Sequence, residues 1–216
     1  MTTASDASST DAASTGSATP PGPARRTSAS TDVALVAAFA ALIAVCALLP
    51  ALKVNGLVPI TLQTFAVLLS GAVLGWRRGS LAVLLYLAVG AAGLPVFSSG
   101  AAGLAVFAGP TAGYLVGFPL GAALCGFLVE RLPRRATAGR TALVFLCGLA
   151  GSAAFIHTLG VTGLVLRADM TWAAAWRFEL TFVPGDLIKN AAMALVATAV
   201  HRAFPDLLPR RTRRTA

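Results

Sequence analysis

Charged side chains are scarce in this chain. Asp, Glu, Lys and Arg make up 12% of its 216 residues, where about 25% is usual in soluble domains. The residues AVILMFWYC supply 56%, more apolar surface than a soluble domain of this size could cover with polar groups. We therefore expect an all-α membrane protein. The scarcity of charge excludes a disordered protein and a soluble nucleic-acid binder, although the net charge is +9.

Cysteine and lysine are also rare, and their positions exclude several chemistries. The three cysteines, Cys46, Cys125 and Cys147, lie inside apolar runs without a CxxC pair, so we interpret them as small apolar side chains and predict no metal site and no disulfide scaffold. The two lysines, Lys53 and Lys189, follow Leu52 and Ile188, which leaves no Walker A motif. Serine-hydrolase and HExxH motifs are absent as well. We predict no catalytic residues, no cofactor and no enzymatic activity.

Long uncharged runs separate the few charges. They contain 20 residues after Asp32, 23 after Lys53, 51 after Arg78 and 26 after Arg140, and one membrane crossing needs about 20. The run of 51 therefore holds two helices and their connection. Six spans are predicted, the third of them short, at about 32–50, 58–76, 79–93, 109–130, 141–166 and 184–204.

The connection between the third and fourth predicted helices is an uncharged loop, Leu94 to Ala108. Gly93 and Pro95 end the preceding helix, and Gly109-Pro110 opens the next, because proline disrupts a helix interior but is tolerated in a first helical turn. The glycine-rich loop indicates either close packing between helices or a lid over a pocket.

Basic residues are distributed unequally between the two sides of the predicted bundle. One side carries 13 of the lysines and arginines and the other carries 3, which by the positive-inside rule predicts cytoplasmic termini. The composition indicates a disordered cytoplasmic tail over 1–31, a membrane domain over 32–204 and a basic cytoplasmic tail over 205–216. Trp172 and Trp176 favour a short interfacial helix before the last span.

Asp186 and Lys189 are the most informative polar residues because they lie inside the last predicted span. They follow Pro184-Gly185 and stand three residues apart, so in a helix they share one face. Each charge costs about 2.5 to 3.5 kcal/mol in hydrocarbon on insertion scales, and such residues usually face a cavity or each other. The pair is therefore either a ligand site or an ion pair that locks the helix.

Other polar and small residues leave alternatives open. Gln63 and Thr64, early in the second span, can bridge helices or reach a ligand. For His157 we favour a hydrogen-bonded packing role over a proton relay, because no carboxylate lies within a helical turn of it. Small residues recur at four-residue spacing on the first helix, which indicates close packing against this chain or a partner; the residues are Ala34, Ala37, Ala38 and Ala41.

Four segments resemble the BioY family, the biotin-specific substrate-binding subunits of energy-coupling factor (ECF) transporters. In this sequence they are VPITLQTFAVLLSGAVLG from Val58, YLAVGAAGLPVF from Tyr86, GPTAGYLVGFPLG from Gly109 and VPGDLIKN from Val183. The resemblance covers about residues 33 to 204. It implies six helices in the plasma membrane of a prokaryote, biotin captured from outside, and coupling to a transmembrane scaffold subunit and two ATPase subunits that use the ATP.

The resemblance also implies roles for individual residues. Asp186 and Lys189 would line the biotin site, the loop Leu94 to Ala108 would cover it, and the alanine face of the first helix would dock on the scaffold. Biotin offers a carboxylate, an NH–CO–NH ureido group and an apolar bicycle, so a pocket needs a cation, acceptors and apolar walls. The predicted binding residues are Gln63, Thr64, Tyr86, Phe97, Gly113, Tyr114, Asp186 and Lys189.

Two other classes of function are weighed against biotin uptake. A small intramembrane enzyme acting on lipid or another small molecule would need paired acids, or a nucleophile with a base in reach, and one Asp beside one Lys gives little support for that. The other class is a purely structural membrane partner. Binding of labelled biotin discriminates uptake from both.

Overall fold

The computed structural model describes residues 29–49, 52–54, 58–133, 139–205 and 207–208. Most of the predicted tails, 1–28 and 209–216, lies outside the described residues. The first helix, α1, spans Ala29–Leu48, so the predicted tail over 1–31 extends three residues too far. At the other end, Leu208 is buried and the Arg78 guanidinium donates to the carbonyl of Leu207. The predicted basic tail therefore begins with residues packed on the bundle.

A short antiparallel hairpin follows α1. Strand β1, Leu52–Val54, pairs with β2, Val58–Ile60, with Lys53 opposite Pro59. Proline has no N–H to donate to a ladder, and a two-stranded hairpin gives it an edge position. The prediction that the second span begins at 58 is therefore wrong, because residues 58–60 form a strand before the helix starts at Gln63.

The helical segment Gln63–Ala91 is two helices joined by a sharp reversal at Gly75, where φ is 82° and ψ is 174°. We call residues 63–74 α2 and residues 76–91 α3. The Gln63 amide donates to the Tyr86 hydroxyl at 2.9 Å although the two residues are 23 positions apart, and a straight helix would separate them by about 35 Å. Only glycine adopts this backbone conformation at little cost.

Glycine also lets the two arms of this reversal lie against each other. A Cβ on Gly79 would fall 2.6 Å from the Cα of Gly71, so the chains touch backbone to backbone. The Trp76 N–H beside the break donates to the Glu130 carboxylate at 3.0 Å. In the described part of the chain, five helices are long and apolar enough to cross a membrane when Gln63–Ala91 counts as one. The reversal at Gly75 divides that helix into two shorter arms, which brings the helices of the bundle to the predicted six.

The remaining elements follow the predicted order. The chain from 92 to 111 contains two 3-10 turns, Ser98–Gly100 and Leu104–Ala108, where the uncharged loop was predicted. Helix α4 is Ala112–Arg131, α5 is Arg140–Arg167, α6 is Trp172–Glu179 and α7 is Val183–Ala203. Within α5, residues Ser152–His157 form a π-helical turn. Cys46, Cys125 and Cys147 are buried and free.

Candidate ligand-binding site

A cavity of about 210 Å³ opens at one end of the bundle. It lies where α2, α4 and α7 begin, between the loop and helices α5 and α6. Of the eight predicted binding residues, six line it: Gln63, Thr64, Phe97, Tyr114, Asp186 and Lys189. Three helix N-termini point toward this end of the bundle, and their dipoles favour an acceptor or an anionic group.

The Asp186–Lys189 pair is joined to the start of α2. Pro184 is tolerated in the first turn of α7, and Asp186 in that same turn suits the helix dipole. Lys189 Nζ lies 2.5 Å from Asp186 Oδ1 and donates to the Thr61 carbonyl at 3.1 Å. The Thr64 hydroxyl donates to the same Asp186 oxygen at 3.2 Å.

Each member of this pair keeps one hydrogen-bonding group free for a ligand. An ammonium group has three donors, and two on Lys189 are engaged by Asp186 and Thr61. On Asp186, Oδ1 accepts both bonds, whereas no hydrogen bond from the described part of the chain reaches Oδ2. Both side chains are about one-eighth exposed and line the cavity. One acceptor and one donor therefore stand side by side for a ligand.

Gln63 and Phe97 line the cavity with Tyr86 behind them. Tyr86 is 2% exposed; its hydroxyl accepts from Gln63 and its ring meets the Phe97 ring edge to face at 5.5 Å. Tyr86 is therefore placed to support two lining residues and does not line the cavity itself, contrary to the expectation that its ring is a wall. Phe97 in turn contacts Phe107 at 5.8 Å, which fixes the loop over this side.

Gly113 is not part of the cavity wall. A Cβ at this position would overlap the Leu159 carbonyl oxygen and come within 2.9 Å of the Gly163 Cα. The residue therefore lets α4 and α5 approach backbone to backbone. The motif that suggested a ligand contact marks a helix crossing here, one residue before the lining residue Tyr114.

Two charged or titratable cavity residues were not predicted as site residues. Glu179 is 2% exposed and accepts from the Tyr114 hydroxyl. His157 Nδ1 lies 2.5 Å from Glu179 Oε1, and its Nε2 lies 3.8 Å from Asp186 Oδ2. No carboxylate lies within a helical turn of His157, but two carboxylates reach it from α6 and α7. In the sequence, Glu179 stands out as an acidic residue in a largely apolar segment close to Trp172 and Trp176. That position was the signal by which it could have been found.

Apolar side chains complete the cavity, including Leu115, Phe118, Ile156 and Phe182. Among the described residues, no group of three His, Cys, Asp or Glu side chains is arranged to hold a metal ion. On the outside of α1, the four alanines of the predicted docking face are all exposed: Ala34, Ala37, Ala38 and Ala41. The opposite side of α1 carries the buried Ile43.

Comparison with known proteins gives one consistent result. The sequence profile described as the BioY family matches residues 18–206. The biotin transporter BioY of Rhizobium etli is 42% identical over 83% of this chain and 97% of its own length, and that of Rhodobacter capsulatus is 40% identical over 82% and 96%. The crystal structure of the S-component for biotin from an ECF-type ABC transporter aligns with a TM-score of 0.75 at 25% identity, over 82% of this chain and 95% of the other. This multi-pass membrane protein therefore belongs to the BioY family.

Proposed function

We propose that this chain captures biotin at the outer face of a prokaryotic plasma membrane, as the substrate-specific subunit of an ECF-type ABC transporter. The observation that carries the proposal is the Asp186–Lys189 pair, which presents one unused acceptor and one unused donor inside the cavity. The relatives are named as transporters, so no enzymatic activity is assigned to the chain.

The chemistry of biotin suits these groups. The ureido ring offers N–H and C=O side by side, which Asp186 Oδ2 and the remaining N–H of Lys189 can meet together. The Gln63 carbonyl oxygen is a further acceptor, because its amide nitrogen donates to Tyr86. The rings of Phe97 and Tyr114 offer apolar surface to the bicycle.

Uptake is the activity to measure. In biotin-auxotrophic bacteria without their own biotin transporter, expression of this chain with an energising module should give accumulation of tritiated biotin, recovered chemically unchanged. The purified chain should hydrolyse no ATP, because Walker A is absent. Accumulation no greater than in cells with an empty vector would contradict the proposal. Conversion of biotin or a lipid by the purified chain would favour the enzyme alternative.

We also propose the partners of the chain: a transmembrane scaffold subunit and two ATPase subunits that supply the energy. An exposed run of small residues permits another helix to approach closely, and α1 carries one at Ala34, Ala37, Ala38 and Ala41. The bilayer covers the other exposed apolar side chains, such as Leu195. Neither a cofactor nor nucleic acid has a part in this proposal.

The proposed topology has both termini in the cytoplasm, supported by the 13 to 3 distribution of basic residues. In this orientation the starts of α2, α4 and α7, and with them the cavity, face the outside. A single cysteine introduced at Asp169 should react with a membrane-impermeant maleimide in intact cells, and one at Thr137 should react only after lysis. The reverse pattern would refute the topology. The native cysteines are buried and serve as the background control.

A further inference from the structure

Glu179 connects three helices from the short helix α6. Its carboxylate accepts from the Tyr114 hydroxyl on α4 and lies 2.5 Å from His157 Nδ1 on α5. An ionised carboxylate is an acceptor only, so both neighbours must direct a hydrogen at it. Both Glu179 oxygens are then occupied, and the side chain is 2% exposed. Glu179 therefore acts on a ligand through the groups it orients.

The contact with Glu179 restricts the hydrogen bonding of Tyr114. A phenol has one hydrogen to donate, and here it is committed to Glu179. Tyr114 lines the cavity, so its oxygen can only accept a hydrogen bond from a ligand. A free phenol could serve as donor or acceptor. Glu179 thus prevents Tyr114 from donating to a ligand and leaves it as an acceptor.

His157 is the second group that Glu179 orients. It lies at the end of the π-helical turn Ser152–His157. In an α-helix, residues five apart point in directions about 140° apart, whereas the wider π turn brings them to nearly the same side. This geometry places the Ser152 hydroxyl 2.8 Å from His157 Nε2. In the Nδ1–H tautomer, whose N–H is directed at Glu179, Nε2 has a lone pair that accepts from the Ser152 hydroxyl.

The tautomer fixed in this way leaves Asp186 available. Its Oδ2 lies 3.8 Å from His157 Nε2, which carries no hydrogen in the Nδ1–H tautomer. Lys189, the positively charged neighbour of Asp186, bonds Oδ1 and not Oδ2. The opposite tautomer would direct an N–H toward Asp186 and compete with the ligand for that oxygen. Holding His157 by Nδ1 prevents this competition.

We propose, on the basis of the biotin-binding function above, that Glu179 is a positioning residue that sets the hydrogen-bond polarity of the cavity. It leaves two acceptors, Tyr114 Oη and Asp186 Oδ2, and Lys189 adds a donor. A cyclic urea presents the complementary set, two N–H donors and one C=O acceptor. The network therefore recognises the ureido end of biotin, and each ureido N–H meets one of the two acceptors.

The native chain provides the first test, with biotin methylated at one or the other ureido nitrogen. Each methyl group removes one N–H. We expect at least about tenfold weaker binding for the analogue that loses its bond to the charged Asp186, and a loss of several-fold, up to about tenfold, for the analogue that loses its bond to the neutral Tyr114. Unchanged affinity for both analogues would overturn the proposal. A chain that binds neither biotin nor the analogues would instead refute the proposed function.

The variant Glu179→Gln provides the second test. Its amide keeps the shape but gives one acceptor and one donor, so one of Tyr114 and His157 loses its acceptor. We expect biotin to bind about tenfold more weakly at nearly unchanged melting temperature, and the penalty for methylating one of the two nitrogens to shrink while the other persists. Glu130→Gln changes a carboxylate at the far end of α4 and should bind like the native chain.

Tyr114→Phe keeps the test decisive if Glu179→Gln folds poorly. It removes the acceptor oxygen while Glu179 remains, and should abolish the discrimination against one methylated analogue, the one that lacks the N–H facing Tyr114. If the methylation penalty that shrinks in Glu179→Gln is the one that Tyr114→Phe abolishes, both changes act on one hydrogen bond, and the double variant should bind no more weakly than the weaker single variant. Equal losses for biotin and both analogues would mean a merely structural role, and native affinity in Glu179→Gln and Tyr114→Phe would overturn the assignment.

Discussion

Replacing Asp186 with leucine and Lys189 with methionine together is expected to abolish measurable biotin binding while the purified chain keeps its thermal stability in detergent. Each hydrogen bond to a charged group contributes about 1.5 to 3 kcal/mol, so losing both weakens binding by a hundredfold or more, as an order of magnitude. Stability is retained because replacing a buried ion pair with apolar residues of similar volume is often neutral or stabilising. Melting temperature and affinity are measured on the same preparation.

The double replacement is needed because single variants are ambiguous. Asp186→Asn or Lys189→Met leaves its partner charged and unpaired, which costs stability whatever the pair does for the ligand. A matched control is another ion pair, Asp32 with Arg78, whose atoms lie 3.0 Å apart outside the cavity. Removing that pair should leave affinity unchanged. Native affinity in the Asp186→Leu, Lys189→Met chain would mean that this pair only locks α7.

The second large effect is expected on the outside of α1. Ala38→Trp should reduce biotin uptake by cells to the background without the chain, while the purified variant binds biotin like the native protein. Ala38 is exposed between Ala34 and Ala41 on the face of small residues. A tryptophan there would hold a partner helix away, and close approach depends on small residues.

The control for this substitution is Ala199→Trp, which also adds a large ring to an exposed alanine, on α7. Uptake by the control should be close to native, because α7 is not the proposed docking helix. Native uptake by Ala38→Trp would contradict the docking proposal and leave α1 as a lipid-facing helix. Loss of biotin binding in Ala38→Trp would show damage to the fold.

Much of the fold could be predicted because membrane crossing imposes a simple local rule. Uncharged runs of about 20 residues form spans, and the charges that bound them, such as Arg140 and Arg167, also bound the helix. No comparably simple rule of sequence predicts where the backbone reverses. Gly75 carries the turn between α2 and α3, yet the sequence has 21 glycines, and composition does not show which of them reverses the chain.

The site could be predicted only where its groups are near in sequence. Asp186 and Lys189 are three residues apart, so the helical period alone places them together. The bond between Tyr114 and Glu179 joins residues 65 positions apart, and the packing of α4, α5 and α6 determines it. The π turn that brings Ser152 close to His157 could not be predicted from the sequence either. Over six residues, the spacing of apolar side chains does not distinguish α from π geometry.

Equilibrium binding of tritiated biotin to the purified chain in detergent or nanodiscs tests the central claim most directly. We predict saturable binding near one biotin per chain, without ATP and without any partner subunit, displaced by unlabelled biotin and absent from the Asp186→Leu, Lys189→Met variant. Absence of saturable binding by a native chain that is folded and monodisperse would contradict the account.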